Sequence, residues 1–167
     1  GPCTEAIKAS GIKKVIYAVA DPNPMASGGA NALREAGIDV IHQKSELLEF
    51  AQRGWLYRIR HGRPLITAKI AITLDGKIAA SDGSSKWITS DAAREDVQNL
   101  RAEVGAVITS TATYLADNPS LLPRVAGAPT PLRVVMGNQE LSAPGFHQVA
   151  SHKFAELVDY LNSQGVN

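Results

Sequence analysis

SDAAREDVQNLRAEVGAVIT, Ser90 to Thr109, contains the alternation from which the rest of the chain is read. Ser90 is a good helix N-cap, its hydroxyl able to accept from the amides that open Asp91 to Glu103. Ala106 to Thr109 then reads as a short apolar strand. The same logic extends outward: Leu65 to Thr73 and Arg133 to Met136 also read as strands. Upstream, Thr4 to Ser10 predicts a helix ended by Gly11, Val15 to Ala20 a strand, Ala30 to Ala36 a helix stopped by Gly37, and Ile38 to Ile41 another strand. From Ser45 a longer helix carries Leu47, Leu48, Ala51, Trp55, Leu56 and Ile59 on one face. Strands alternating with helices imply an α/β fold with a mainly parallel sheet. His61-Gly62-Arg63-Pro64 closes the first stretch and marks the domain boundary.

Composition narrows the function classes. The 167 residues carry 17 basic and 16 acidic side chains, a formal net charge of +1, so no global field favours nucleic acid or an anionic membrane. Any anion must be bound locally. A single cysteine, Cys3, excludes an intrachain disulfide framework and fits a reducing compartment. No run reaches membrane-span length, and the cytoplasm is the expected location. Gly1 stands where an initiator methionine is usual, and Gly165-Val166-Asn167 follows an amphipathic segment where an α/β protein ordinarily continues into a strand. A piece of a longer protein is expected.

Ligands of parallel sheets collect beyond the carboxyl ends of the strands, which directs attention to 75–89 and 110–124. Lys69 stands inside an apolar strand pattern and needs a partner or an open cleft there. Trp87, taken alone, is more often a packing anchor than a cofactor contact, and Ser85 and Thr89 more often satisfy turns. TSTATYLADNPSLLPR, Thr109 to Arg124, reads as a loop of hydroxyl and small residues that ends in a guanidinium. Arg101 alone is an ordinary solvated helix residue, and Cys3 alone a buried thiol. Gly28-Gly29 lacks any dinucleotide or P-loop pattern around it, and the four histidines lack metal-helix spacing.

Taken in order, GPCTEAI, IKKVIYAVADPNP, LREAGIDV, GRPLITAKIAITLDGKIA, SKWITSDAAREDVQNLRAEVGAVI and TATYLADNPSLLPR followed by PLRVV form a specific set. Over residues 1 to about 136 the chain resembles the bifunctional riboflavin-biosynthesis deaminase/reductase family. The resemblance implies that 1–62 is the C-terminal part of a zinc cytidine-deaminase-like domain, with Cys3 as one zinc ligand and the remaining ligands and the catalytic glutamate upstream. It implies that 63–167 belongs to an NADPH-dependent reductase domain of dihydrofolate-reductase-like α/β fold, with residues missing near 146–154.

By motif, Ala71, Trp87, Thr113, Asp117 and Asn138 are implied to contact NADPH. Lys69, Ser85, Arg101, Leu121 and Arg124 are implied to contact a small phosphorylated ribotide. The implied activity is deamination of the pyrimidine followed by hydride transfer to C1′ of its ribosyl chain, in a homo-oligomer that binds neither nucleic acid nor membrane. Where many members of the family carry a Gly-x-Gly-Thr turn, this chain has Ser110-Thr111-Ala112-Thr113. A pterin reductase of the same fold, distinguished by indifference to a substrate phosphate, and a non-catalytic binding fragment are the alternative readings.

Overall fold

Ser90 acts as its position predicts. Its Oγ accepts from the Ala93 amide at 3.3 Å, and helix α5 runs over Asp91–Glu103. Strand β3 follows at Ala106–Ser110, and Ser110 caps the next helix in turn, its Oγ accepting from the Thr113 amide at 3.1 Å. That helix, α6, spans Thr111–Asp117, where a loop was expected. β4 (Leu132–Met136) and β5 (His147–Val149) complete a three-stranded sheet in the order β3-β4-β5, parallel throughout. Residues 146 to 154 form continuous chain through β5 and a 3₁₀ turn at Ser151–Lys153 into α7, Phe154–Ser163.

The computed structural model describes residues 1–167 and divides them into two compact units, Gly1–Leu65 and Ile66–Asn167. In the second, α7 lies on one face of the sheet. Leu157 and Leu161 meet Val134, which is wholly buried, and Ala106, Leu132, Val149 and Tyr160 pack around them. The first unit contains α1 (Pro2–Ala9), β1 (Lys14–Tyr17), α2 (Gly29–Glu35) and β2 (Asp39–His42), with β1 and β2 paired in parallel. Its core is Leu33, Ile38 and Val40, flanked by Ile7, Val15 and Tyr17.

Three expectations are corrected. The helix opened by Ser45 is two helices, α3 (Glu46–Ala51) and α4 (Arg53–His61), because Gln52 leaves helical geometry just before Gly54. Cys3 is exposed in the first turn of α1 and is not a buried thiol. Leu65 to Thr73 forms no strand. A strand needs a neighbour to complete its ladder, and this segment's apolar alternation meets none: Ile66, Ile70 and Ile72 are all exposed. Lys69 is consequently exposed too, and needs no buried partner.

What shapes the segment beyond Leu65 is local. The Thr73 amide donates to the Lys77 carbonyl and the Lys77 amide to Thr73 Oγ1, both at 2.9 Å, around Gly76 at φ 79°. The Ala80 amide donates to the Ser84 carbonyl at 2.8 Å around Gly83 at φ 84°. Each turn thus places an Asp-Gly pair at its tip, with glycine taking the left-handed conformation. Asp82 accepts from the hydroxyl and amide of Ser84, which holds its carboxyl below the usual aspartate value.

Two tests follow from this packing. Leu157→Ala removes the side chain that covers Val134 and should destabilise the second unit by about 2–5 kcal/mol in denaturant unfolding; a loss below about 1 kcal/mol would show that α7 does not carry this core. At the end of β4, a Cβ on Gly137 would overlap Thr111 Oγ1 and fall 2.7 Å from the Thr111 Cβ. Gly137→Ala should therefore cost about 1–3 kcal/mol by forcing α6 away from β4. Unchanged unfolding of this variant would show that the two elements part freely.

Candidate functional site

Two arginines define the most unusual electrostatic feature of the second unit. Arg101 lies in the last turn of α5, half-buried. Its guanidinium is held below the usual arginine value, first by burial and second by the positive charge of Arg124. Two guanidinium groups whose charges reach one another offer paired donors to an anion.

The backbone explains how they meet. The Arg124 amide donates to Gln98 Oε1 at 3.2 Å, and Gln98 precedes Arg101 by three residues, placing it one turn earlier on the same face of α5. Leu121 is 5% exposed and has φ 56°, a left-handed conformation rarely taken by a residue with a β-carbon. Asn118, at φ 40°, ends α6, and its amide donates to the Tyr114 carbonyl at 2.8 Å. The chain between α6 and β4 therefore has a defined course past Arg101.

A second group lies at the carboxyl edge of the sheet. Thr113 stands exposed on the first turns of α6, and its Oγ1 is 3.0 Å from Ser110 Oγ. Asn138 follows the end of β4, and its Oδ1 accepts from the Ser151 amide at 3.1 Å. Between the ends of β3 and β4, Thr111 Oγ1 is buried against Gly137 with no hydrogen-bond partner. Thr113 and Asn138 bring a hydroxyl and an amide to the edge where parallel sheets take ligands, groups that suit a cofactor with phosphate and amide groups. Asp117 is exposed at the far end of α6.

The other expected site residues lie on the turn-rich segment. Trp87 is exposed, with the Arg94 guanidinium 4.3 Å from its ring centroid. The Asp91 carboxylate and the Thr89 carbonyl lie against the same guanidinium. Ser85 and Lys69 are exposed and Ala71 half-buried. The structure thus brings Arg124 to the helix that carries Arg101, and sets Thr113 and Asn138 just past the ends of β3 and β4, with Leu121 buried in the loop before Arg124. It supplies no bond linking Lys69, Ala71 or Ser85 to either group. Gln98 escaped the reading of the sequence, although its spacing of three from Arg101 put it on the same helix face.

In the first unit, no three His, Cys, Asp or Glu side chains converge to hold a metal ion, and exposed Cys3 stands without co-ligands. These residues do not by themselves fit a zinc site. Tyr17 and His42 stack at the ends of β1 and β2, with ring centroids 4.6 Å apart.

The chain is similar to known proteins. A family model described as the RibD C-terminal domain matches residues 64–158. The riboflavin biosynthesis protein RibD of Mycobacterium tuberculosis is 44% identical over 148 residues, covering 84% of this chain and 43% of that protein. RibD of Escherichia coli K12 is 42% identical over 146 residues, covering 86% of this chain and 40% of that one.

The solved structure of a Thermotoga maritima diaminohydroxyphosphoribosylaminopyrimidine deaminase/5-amino-6-(5-phosphoribosylamino)uracil reductase superposes with a TM-score of 0.83 at 28% identity, covering 98% of this chain and 54% of its own. Acinetobacter baumannii RibD gives a TM-score of 0.80 at 33% identity, covering 98% and 55%. The chain therefore spans less than half the length of these two sequence relatives and about half that of the two solved structures. The matched residues contain α5, the arginine pair and the sheet edge, and on this basis the chain belongs to the RibD C-terminal domain family.

Proposed function

We propose that the second unit is the core of an NADPH-dependent reductase of riboflavin biosynthesis, acting in the cytoplasm on a phosphorylated ribosylamino-pyrimidine. The observation that carries this reading is that Gln98, one turn from Arg101 on the same face of α5, holds the Arg124 amide within the segment matched by the RibD C-terminal domain, so that two guanidinium groups are available to one phosphate. When bound, NADPH would supply a hydride to C1′ of the ribosyl group as the C1′–O4′ ring bond opens, O4′ taking a proton from solvent and the cofactor leaving oxidised. This chain's residues bind and orient. Arg101 and Arg124 take the phosphate, and the left-handed turn at Leu121 presents backbone to the same ligand. Trp87 offers the cofactor its indole, and Thr113 and Asn138 offer hydrogen bonds at the sheet edge. Holding the cofactor and C1′ within about 3–3.5 Å is the main task of such a site.

The first unit belongs, in this reading, to the end of a zinc deaminase-type domain to which Cys3 contributes one ligand. Two things support it: the resemblance around Cys3, and a Thermotoga relative that carries a deaminase beside its reductase.

Paired kinetic and binding measurements on the whole protein test the reductase reading. Arg124→Ala should lower kcat/KM for the phosphorylated substrate about ten- to a hundredfold and leave NADPH affinity nearly unchanged. Arg124→Lys should recover only part of that loss, since an ammonium lacks the planar fork. Equal turnover of phosphorylated and dephosphorylated substrate by the unmodified protein would instead favour a pterin-type reductase.

Trp87→Ala and Thr113→Ala should each do the reverse of Arg124→Ala. NADPH binding, followed by fluorescence titration, should weaken about tenfold or more while substrate KM moves little. Cofactor affinity unaltered in both variants removes them from the site.

A further inference from the structure

We propose that Arg133 and Gln98 are positioning residues that string the Ser120–Arg124 loop between two fixed points and so set Arg124 beside Arg101. The inference rests on the reading of that pair as an anion site, and extends it to side chains that touch no ligand. Arg133 is the second residue of β4. Its Nη1 donates to the Ser120 carbonyl at 3.3 Å, and its guanidinium carbon lies 4.5 Å from the Phe146 ring centroid. Phe146 in turn meets Tyr114 of α6 edge-on, with centroids 5.2 Å apart. The cation thus lies between the loop, to which it donates, and an aromatic ring that α6 supports.

Gly145, at φ 77°, leaves the guanidinium room beside it, a Cβ there falling 2.5 Å from Arg133 Nη2. At the other end of the loop, Gln98 accepts the Arg124 amide at 3.2 Å from α5. Between these anchors Leu121 is buried at φ 56°. A non-glycine residue persists in that conformation where its surroundings over-determine it. Here the surroundings include one anchor on the sheet and one on the helix.

Geometry also separates this role from a simple electrostatic one. If Arg133 served only by its charge, lysine would replace it fully. An ammonium cannot both stack flat on Phe146 and direct a fixed N–H at Ser120.

Three variants of the whole protein decide the matter: Arg133→Met, Arg133→Lys and Gln98→Met. Amide hydrogen exchange across 119–125 should accelerate about tenfold or more in Arg133→Met and Gln98→Met, with β4 and α5 unchanged. KM for the phosphorylated substrate should rise about tenfold in the same variants while NADPH affinity stays within about twofold, and Arg133→Lys should fall between.

Loop exchange unchanged in Arg133→Met and Gln98→Met overturns the proposal, whatever Arg124 binds. So does full recovery by Arg133→Lys. A variant too unstable for kinetics still reports through exchange, where loss of protection spread evenly over the second unit counts against a positioning role. If the loop loosens as expected but neither these variants nor Arg124→Ala changes substrate KM, the anchoring stands and the anion-site reading falls.

Discussion

Val134 sits completely buried under Leu157 and Leu161, and the geometry of the second unit follows from that contact. Burying an aliphatic side chain of this size contributes roughly 1.5–3 kcal/mol, and here three such residues share one interface. Because Val134 is in β4, the middle strand, fixing it against α7 also fixes both ladders. β3 is paired on one side from Ala106 to Ser110, and β5 on the other from His147 to Val149. The carboxyl edge where Thr111, Thr113 and Asn138 gather is therefore positioned by a hydrophobic contact that none of those three residues makes.

The same strand sends Arg133 toward the loop after α6 while Val134 enters the core, an instance of the two-residue alternation of a strand. One residue anchors the hydrophobic layer and its neighbour anchors a polar loop. A shift of register by one residue would exchange them and lose both functions together.

What was legible in the sequence was local. The Ser90 cap, the full extent of α5 and the strands at Ala106 and Arg133 follow from capping chemistry and short-range pattern, and they stand where expected. The segment from Leu65 to Thr73 has an equally good strand pattern, but pairing is not a local property, and without a neighbour the pattern leaves isoleucines in water. α6 was hidden for the opposite reason: Thr-Ala-Thr-Tyr reads as loop, and only Ser110, acting at once as strand end and helix cap, turns it into a helix. β5 is three residues long and offered no periodicity to read. Of the candidate site, Arg101, Leu121 and Arg124 were reached through resemblance. Gln98 and Arg133 carry no signature of their own, because a backbone partner 26 or 13 residues away leaves no mark on local pattern.

Near neutrality of the whole chain gives the arginine pair its particular character. With 17 basic and 16 acidic residues, the chain as a whole has no strong field to draw an anion in, so the two guanidinium groups act locally. Their proximity must be imposed by structure, and imposing it costs Arg101 part of its preference for the charged state, through burial first and through Arg124 second. A free loop would let the Arg124 backbone drift from α5. The loop past Arg101 is not free: its amide at Arg124 is held by α5, its carbonyl at Ser120 by β4, and its buried leucine lies between them. Conformational strain and charge repulsion are thus concentrated in the same short stretch, and both are met by side chains that the hydrophobic core has already fixed in place.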